Sequence, residues 1–409
     1  MSEILRNLPR VARRRPAGRS ARCIFFRDWA RVIAYLAISS LPLTAVAVPY
    51  LPGDDKQIVE RLPYTAADTA SRELRALRDQ LQLQPDKLEL AVRVARRYIE
   101  MGRSSADPRY AGYAQAALAP WWELRNPPAE VLVLRATLRQ HVHNFDAAVA
   151  DLDAVLRAHP RAAQARLTKA TVLQVQGSYD RAKGECLALR ALAEELVWAA
   201  CLANVGSVSG DLAASYRRLN SVLARHLEAD SDTRAWVLTM LAEMAARGGL
   251  VVEAEQHFRA ALALDGTDSY LIGAYADFLL DVERPAEVAT LLRDKTRADG
   301  LLLRYALALK ALHAEQLAEH IAQLRARFEA SRLRGDRVHL REEARFTLHL
   351  LGDAPTALKL AQENWQVQKE PADARILAEA ALAAGAGPAL GGLRNWLMQT
   401  RLEDVHLSR

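Results

Sequence analysis

The feature that most constrains this chain is a spacing. The interval from Phe145 to Tyr179 recurs from Ala148 to Ala182 and from Ala254 to Val288, about 34 residues each time. Within each copy the pattern is that of an amphipathic helix, as in Ala254-x3-Phe258-x2-Ala261-Leu262. Apolar and small residues recur at i, i+3, i+4 and i+7. A first helix precedes each of these, with a small residue near its centre: Ala136, Ala170, Ala242 and Ala276. A further copy runs from Ala344 through Gly352 and Ala357 to Ala361, closed by Pro371. One helix pair of this length cannot bury both of its apolar faces, so such units are stable only when stacked on neighbours. No run of alternating β-branched residues interrupts the helical period from Thr69 onward, which predicts an all-α body.

With that register, the chain resembles the tetratricopeptide repeat (TPR) family. The family has about 34 residues per repeat, two antiparallel helices, small residues at the closest helix contacts, an aromatic between repeats and a proline closing the second helix. The resemblance implies a right-handed α-solenoid of stacked antiparallel helix pairs over residues 69–409, about eight or nine pairs in all. An inserted turn is expected around Asp107–Trp122, and a long second helix within Leu301–Arg334.

Up to Asp68 the chain reads differently. Residues 1–31 hold nine arginines against two acids, whereas the remaining residues carry 46 basic and 47 acidic side chains. The net charge of +6 and the pI near 9.3 are therefore local to the start of the chain. A near-neutral body gives no electrostatic footprint for nucleic acid. Val32–Val48 is uncharged, interrupted by Pro42 and ends in Ala45-Val46-Ala47. Basic region, apolar core and small-x-small ending make a secretory signal, with cleavage expected after Ala47 and a periplasmic body. The alternative is an uncleaved anchor through residues 32–48, holding the body outside the inner membrane. Residues 48–68, with Pro49, Pro52 and Pro63, read as an extended arm.

No catalytic, cofactor or metal signature is expected. The glycines of Gly385–Gly392 follow a helix rather than a strand, and Gly206–Gly210 places Val208 where a nucleophile elbow needs serine. His141 and His143 lie two apart and do not share a helical face. His313 and His320 do share one but have only Glu319 nearby, so packed or solvated histidines are expected. Trp121-Trp122 read as packing residues rather than a ligand stack, and the same two readings stand for Trp236, Tyr270 and Trp365. Cys186 and Cys201 flank the turn between two helices almost symmetrically. They are either two buried thiols or, in an oxidising compartment, a disulfide.

In the TPR family the first helices of successive repeats line a concave groove that holds a peptide or a partner's helix. By resemblance, the groove-facing set here is Thr137, Gln140, His141, Thr171, Gln174, Trp236, Thr239, Glu243, Tyr270, Asp277, Asp281, Phe346 and His349. The family's clamp for a chaperone's C-terminal carboxylates uses Lys and Asn; Val133, Thr137, Leu167 and Thr171 stand at two of its places, so that activity is not implied. The acids Glu243, Asp277 and Asp281 favour a neutral or basic segment. The expected function is an exported, non-catalytic scaffold for a protein or peptide partner. An accessory subunit of an envelope biogenesis or transport complex is the alternative.

Overall fold

The computed structural model describes Asp54 and residues 69–407. Apart from Asp54, an exposed residue of the expected arm, the leader (1–47) and arm (48–68) lie outside the described residues. All the described helices belong to one compact unit, residues 63–409.

Among the described residues a first helix, α1 (Thr69–Leu83), precedes nine helix hairpins. The first pairs α2 (Leu88–Ser105) with α3 (Arg109–Ala117), and a one-turn helix α4 (Ala119–Trp122) follows where the inserted turn was expected. Next come α5 (Ala129–His141) with α6 (Phe145–Ala158), α7 (Ala163–Val175) with α8 (Tyr179–Ala188), and α9 (Glu195–Ser207) with α10 (Leu212–Leu223). The array continues as α11 (Ser231–Arg247) with α12 (Val251–Leu264), α13 (Ser269–Asp281) with α14 (Pro285–Leu292), and α15 (Asp299–Ala311) with α16 (Leu317–Leu333). It ends as α17 (Leu340–Phe346) with α18 (Ala354–Val367), and α19 (Pro371–Ala383) with α20 (Gly391–Thr400). There is no strand among the described residues.

The repeat register explains the packing. Ala136, Ala148, Ala182, Ala242, Ala254, Ala276 and Ala357 are wholly buried, and Ala170 nearly so. A methyl group at these points lets helix axes come within about 8–9 Å. Phe258 of α12 is 1% exposed and fills the gap to the next hairpin, with ring centres 5.4 Å from Tyr275 and 5.5 Å from Phe278 on α13. Burying such a ring contributes roughly 2–3 kcal/mol. Trp121 and Trp122 pack on the core of the first hairpins, Trp236 on the central core, and Trp365 edge-on to Trp396 at 4.9 Å.

Helix starts are set locally. Asp230 accepts from the Thr233 amide, Asp268 from the Tyr270 and Leu271 amides, and Asp353 from the Thr356 amide. Each satisfies amides that a helix N-terminus leaves unpaired. Glu370 and Asp373 make a reciprocal capping box at α19. Between α8 and α9, Cys186 and Cys201 are joined in a disulfide, with Cα atoms 5.5 Å apart. Of the two states left open by the sequence, the fold takes the bonded one, because the short turn brings the two small buried positions face to face.

Later hairpins also rest against earlier ones. The Lys369 amide donates to the Val175 carbonyl at 2.8 Å, and the Tyr179 hydroxyl to the Lys369 carbonyl at 3.2 Å, across 190 residues. The Ser269 hydroxyl donates to the Ser104 carbonyl at 2.7 Å, 165 residues away.

Candidate functional site

Almost every groove-facing residue expected from the sequence sits on the first helix of a hairpin; His349 lies in the turn after one. Thr137, Gln140 and His141 are on α5, and Thr171 and Gln174 on α7; α11 carries Trp236, Thr239 and Glu243, and α13 carries Tyr270, Asp277 and Asp281. Spacings of three, four and seven put each set along one helical face. Phe346 ends α17, and His349 lies in the single π-turn (Thr347–Leu351) that follows it.

The acidic part of this face is met by the chain's own basic residues. Asp277 accepts from Arg304 of α15 at 2.5 Å and from Arg345 of α17 at 3.0 Å. Asp281 accepts from Arg375 of α19 at 2.8 Å and lies 3.4 Å from His406 Nε2. Burial pushes the Asp277 carboxyl up, but Arg304 and Arg345 outweigh it and hold it well below the usual carboxylate range. Glu342 behaves alike: burial raises it, and Arg341 and Arg304 pull it down to about 2. Glu243 lacks such a partner. Burial pushes it up to about 7, against the Tyr270 hydroxyl that donates to it at 2.7 Å and the nearby Arg247. Tyr270 itself stays 61% exposed, so this polar interior keeps access to solvent.

Several expected residues have other duties. Phe346 is buried against Phe328, ring centres 5.3 Å apart. Thr239 is buried and returns its hydroxyl to the Ala235 carbonyl at 2.8 Å. Trp236 packs on the core, and His349 Nε2 meets Glu379 at 3.0 Å. Thr137 and Thr171 donate to the carbonyls of Val133 and Leu167, each at 3.1 Å.

At the end of α5 the structure opens a cavity of about 580 Å³, lined by Trp122, His141 and His143 on one side and Asp336 and His339 on the other. Burial lowers His143 to about 4, with Arg341 adding to the effect. Burial also lowers His141, with His339 acting the same way. Sequence reasoning missed this site and the arginines opposite Asp277 and Asp281. Both depend on contacts between segments far apart in the chain. One signal was present: Arg341 and Arg345 are a basic i,i+4 pair on a first helix, of which Arg345 meets Asp277 and Arg341 meets Glu370.

The remaining motifs have structural places. Gly387–Leu390 is a one-turn connection between α19 and α20, and Gly206 lies inside α9. His313 occupies a turn with φ +53°, and His320 stacks edge-on to Tyr305 at 5.1 Å. Among the described residues, no group of three or more His, Cys, Asp or Glu is placed to hold a metal ion, and no helix is long and apolar enough to cross a membrane.

Two features decide the fold. The helices that begin at Ala129 and Ala163 are offset by the same interval as those that begin at Phe145 and Tyr179, and each forms a hairpin whose contact alanines are buried. The described body is a TPR-type solenoid. No family model matches the chain, and no curated protein does. Among solved structures it is similar to a tetratricopeptide repeat protein from Parabacteroides merdae, at 12% identity over 71% of this chain and 98% of that one, TM-score 0.36. It is similar to yeast Tom70 at 12% identity over 83% of each chain, TM-score 0.39. It is similar to YrrB, a TPR protein with an unusual peptide-binding site, at 20% identity over 53% of this chain and 100% of that one, TM-score 0.27. The TPR-like fold of this body rests on its own hairpin spacing.

Proposed function

We propose that the chain is an exported, non-catalytic scaffold that binds a protein or peptide partner on the first-helix face of its hairpins. The observation that carries this is the polar wall on α5 and α7. Gln140 and Gln174 are half-buried there, and Thr171 is exposed. Thr137 and Thr171 bond only to their own helices, and His141 lines the adjoining cavity. A row of amides and hydroxyls on a rigid array suits the backbone of an extended segment, and a preformed surface lowers the ordering cost of binding. The acidic stretch farther along is already matched by Arg304, Arg345 and Arg375, which makes α5 and α7 the better-supported end for a partner.

The disulfide between Cys186 and Cys201 supports an oxidising compartment, in keeping with a secretory signal ending at Ala47. N-terminal sequencing of the mature chain from the envelope tests this. A start at Val48 supports a released periplasmic protein; an intact leader supports the membrane-anchored accessory subunit instead. For binding, a Gln140→Arg/Gln174→Arg variant should lose the partner retained by the natural chain in envelope extracts. Unchanged retention would remove α5 and α7 from the site.

A further inference from the structure

The segment Arg401–Leu407 runs along the turns of two successive hairpins, and the turn of the hairpin before them is met by Lys369. Gly177, Gly210 and Gly249 close the α7/α8, α9/α10 and α11/α12 turns, all with positive φ. The corresponding turns after α5, α13 and α15 use His143, Glu283 and His313 at φ +53° to +59°, so this turn does not of itself demand glycine. What separates the three is what lies beside them. A Cβ at Gly210 would sit 2.9 Å from the Arg401 Cβ, one at Gly249 3.3 Å from the Val405 side chain, and one at Gly177 3.2 Å from the Lys369 side chain. The turn glycines Gly352 and Gly385 have nothing that close. The turn at Gly177 is shaped to let Lys369 pass, and those at Gly210 and Gly249 to let the segment Arg401–Leu407 pass.

That segment is held like a bound peptide. The Val405 amide donates to the Arg247 carbonyl at 3.0 Å, and Glu403 Oε1 accepts from the Leu212 amide at 3.0 Å, the first of α10. Asp404 is 7% exposed and is the foremost charge acting on Arg247, whose guanidinium is anchored on Ser207 at 2.8 and 2.9 Å. Leu402 packs on the cluster around the disulfide. Glu403 is otherwise exposed, and Arg401 too. The contacts are therefore a main-chain bond, a carboxylate on a helix N-terminus, one buried acid and two apolar side chains, the set by which receptors read extended peptides.

We propose that the adjacent turns at Gly210 and Gly249 form a peptide-docking track, occupied in this chain by its own segment Arg401–Leu407. The external partner that fits it is an extended segment with two adjacent acidic residues followed by an apolar one, as in Glu403-Asp404-Val405. This rests on the reading of the chain as a peptide-binding scaffold and names a site and a chemistry for it. The tethered segment acts at an effective concentration on the order of millimolar, so it masks the track until a better or more abundant segment displaces it.

The probe is a fluorescein-labelled peptide of the sequence of residues 401–409, read by polarisation against the full chain and a full-length Glu403→Arg/Val405→Arg variant. The variant should bind the peptide at least tenfold more tightly than the natural chain, and unlabelled peptide but not a scrambled one should compete. A variant with unchanged helical circular dichroism and no gain in binding overturns the proposal. Should the variant fail to fold, hydrogen exchange of the Val405 amide in the natural chain decides. Acceleration by excess peptide supports displacement, and an unchanged rate overturns it. A protein partner held equally by both forms would leave the scaffold reading standing and refute the track.

Discussion

The carboxylate of Asp277 receives the guanidinium of Arg345 at 3.0 Å, although 68 residues separate them. The bond joins α13 to α17, two hairpins on, and Arg304 completes the cluster from the hairpin between. Asp277→Ala would leave two guanidiniums facing each other, while Arg345→Ala leaves Asp277 still paired with Arg304. The first should cost about 1–3 kcal/mol in denaturant unfolding and the second clearly less, since the site retains solvent access. A double-mutant cycle should show a coupling of about 1 kcal/mol. Additive losses would mean the pair does not hold in solution.

Glu243 sets a pH dependence of opposite sign to that of Asp277. Its folded-state value of about 7 lies above its ordinary 4.5. The contribution is therefore fully present below pH 4.5 and is lost as pH rises through 7. In Glu243→Gln the amide oxygen can still accept from Tyr270, and no charge needs burying. Denaturation should show this variant close to the natural chain at pH 4 and more stable by about 1–2 kcal/mol at pH 8. Parallel curves across that range would remove Glu243 as the titrating group.

The disulfide closes a loop of 15 residues between α8 and α9. Reduction, or Cys186→Ala/Cys201→Ala, should lower stability by about 3 kcal/mol. Thermal melts with and without reductant, with alkylation and mass measurement for the bond itself, check this. A natural chain that alkylates at both residues without reductant would show free thiols instead.

Ala254 is wholly buried where α12 meets its neighbours. Ala254→Leu should overpack that contact and cost about 1–3 kcal/mol. A melt unchanged by the substitution would place Ala254 outside the helix contact and undo the repeat register.

Much of this fold was legible because a repeat writes its packing locally. Ala136, Ala148 and Ala170 announce their roles by spacing alone, since a repeat packs chiefly on its neighbours. The inserted turn at α4 and the 17-residue α16 followed from breaks in that spacing. The site was legible only in part. Helical period marks which face Asp277 and Asp281 occupy, but not that Arg345 and Arg375 come to lie opposite, because that depends on small rotations accumulated over several hairpins. Phe346 misled for the same reason: it lies on a first helix, yet Phe328 of the preceding hairpin covers it. The place of Glu403 at the start of α10 leaves no local trace at all.

The late hairpins pack back onto the early ones, and the Lys369 amide reports on that contact. Lys369 lies between α18 and α19, outside any helix, and its amide donates to the Val175 carbonyl. Its hydrogen exchange should be slower than that of an unstructured peptide by about a hundredfold or more, since exchange then requires local opening. Exchange at the unstructured rate, with the amides of α18 and α19 still protected, would show that the hairpins form but do not fold back.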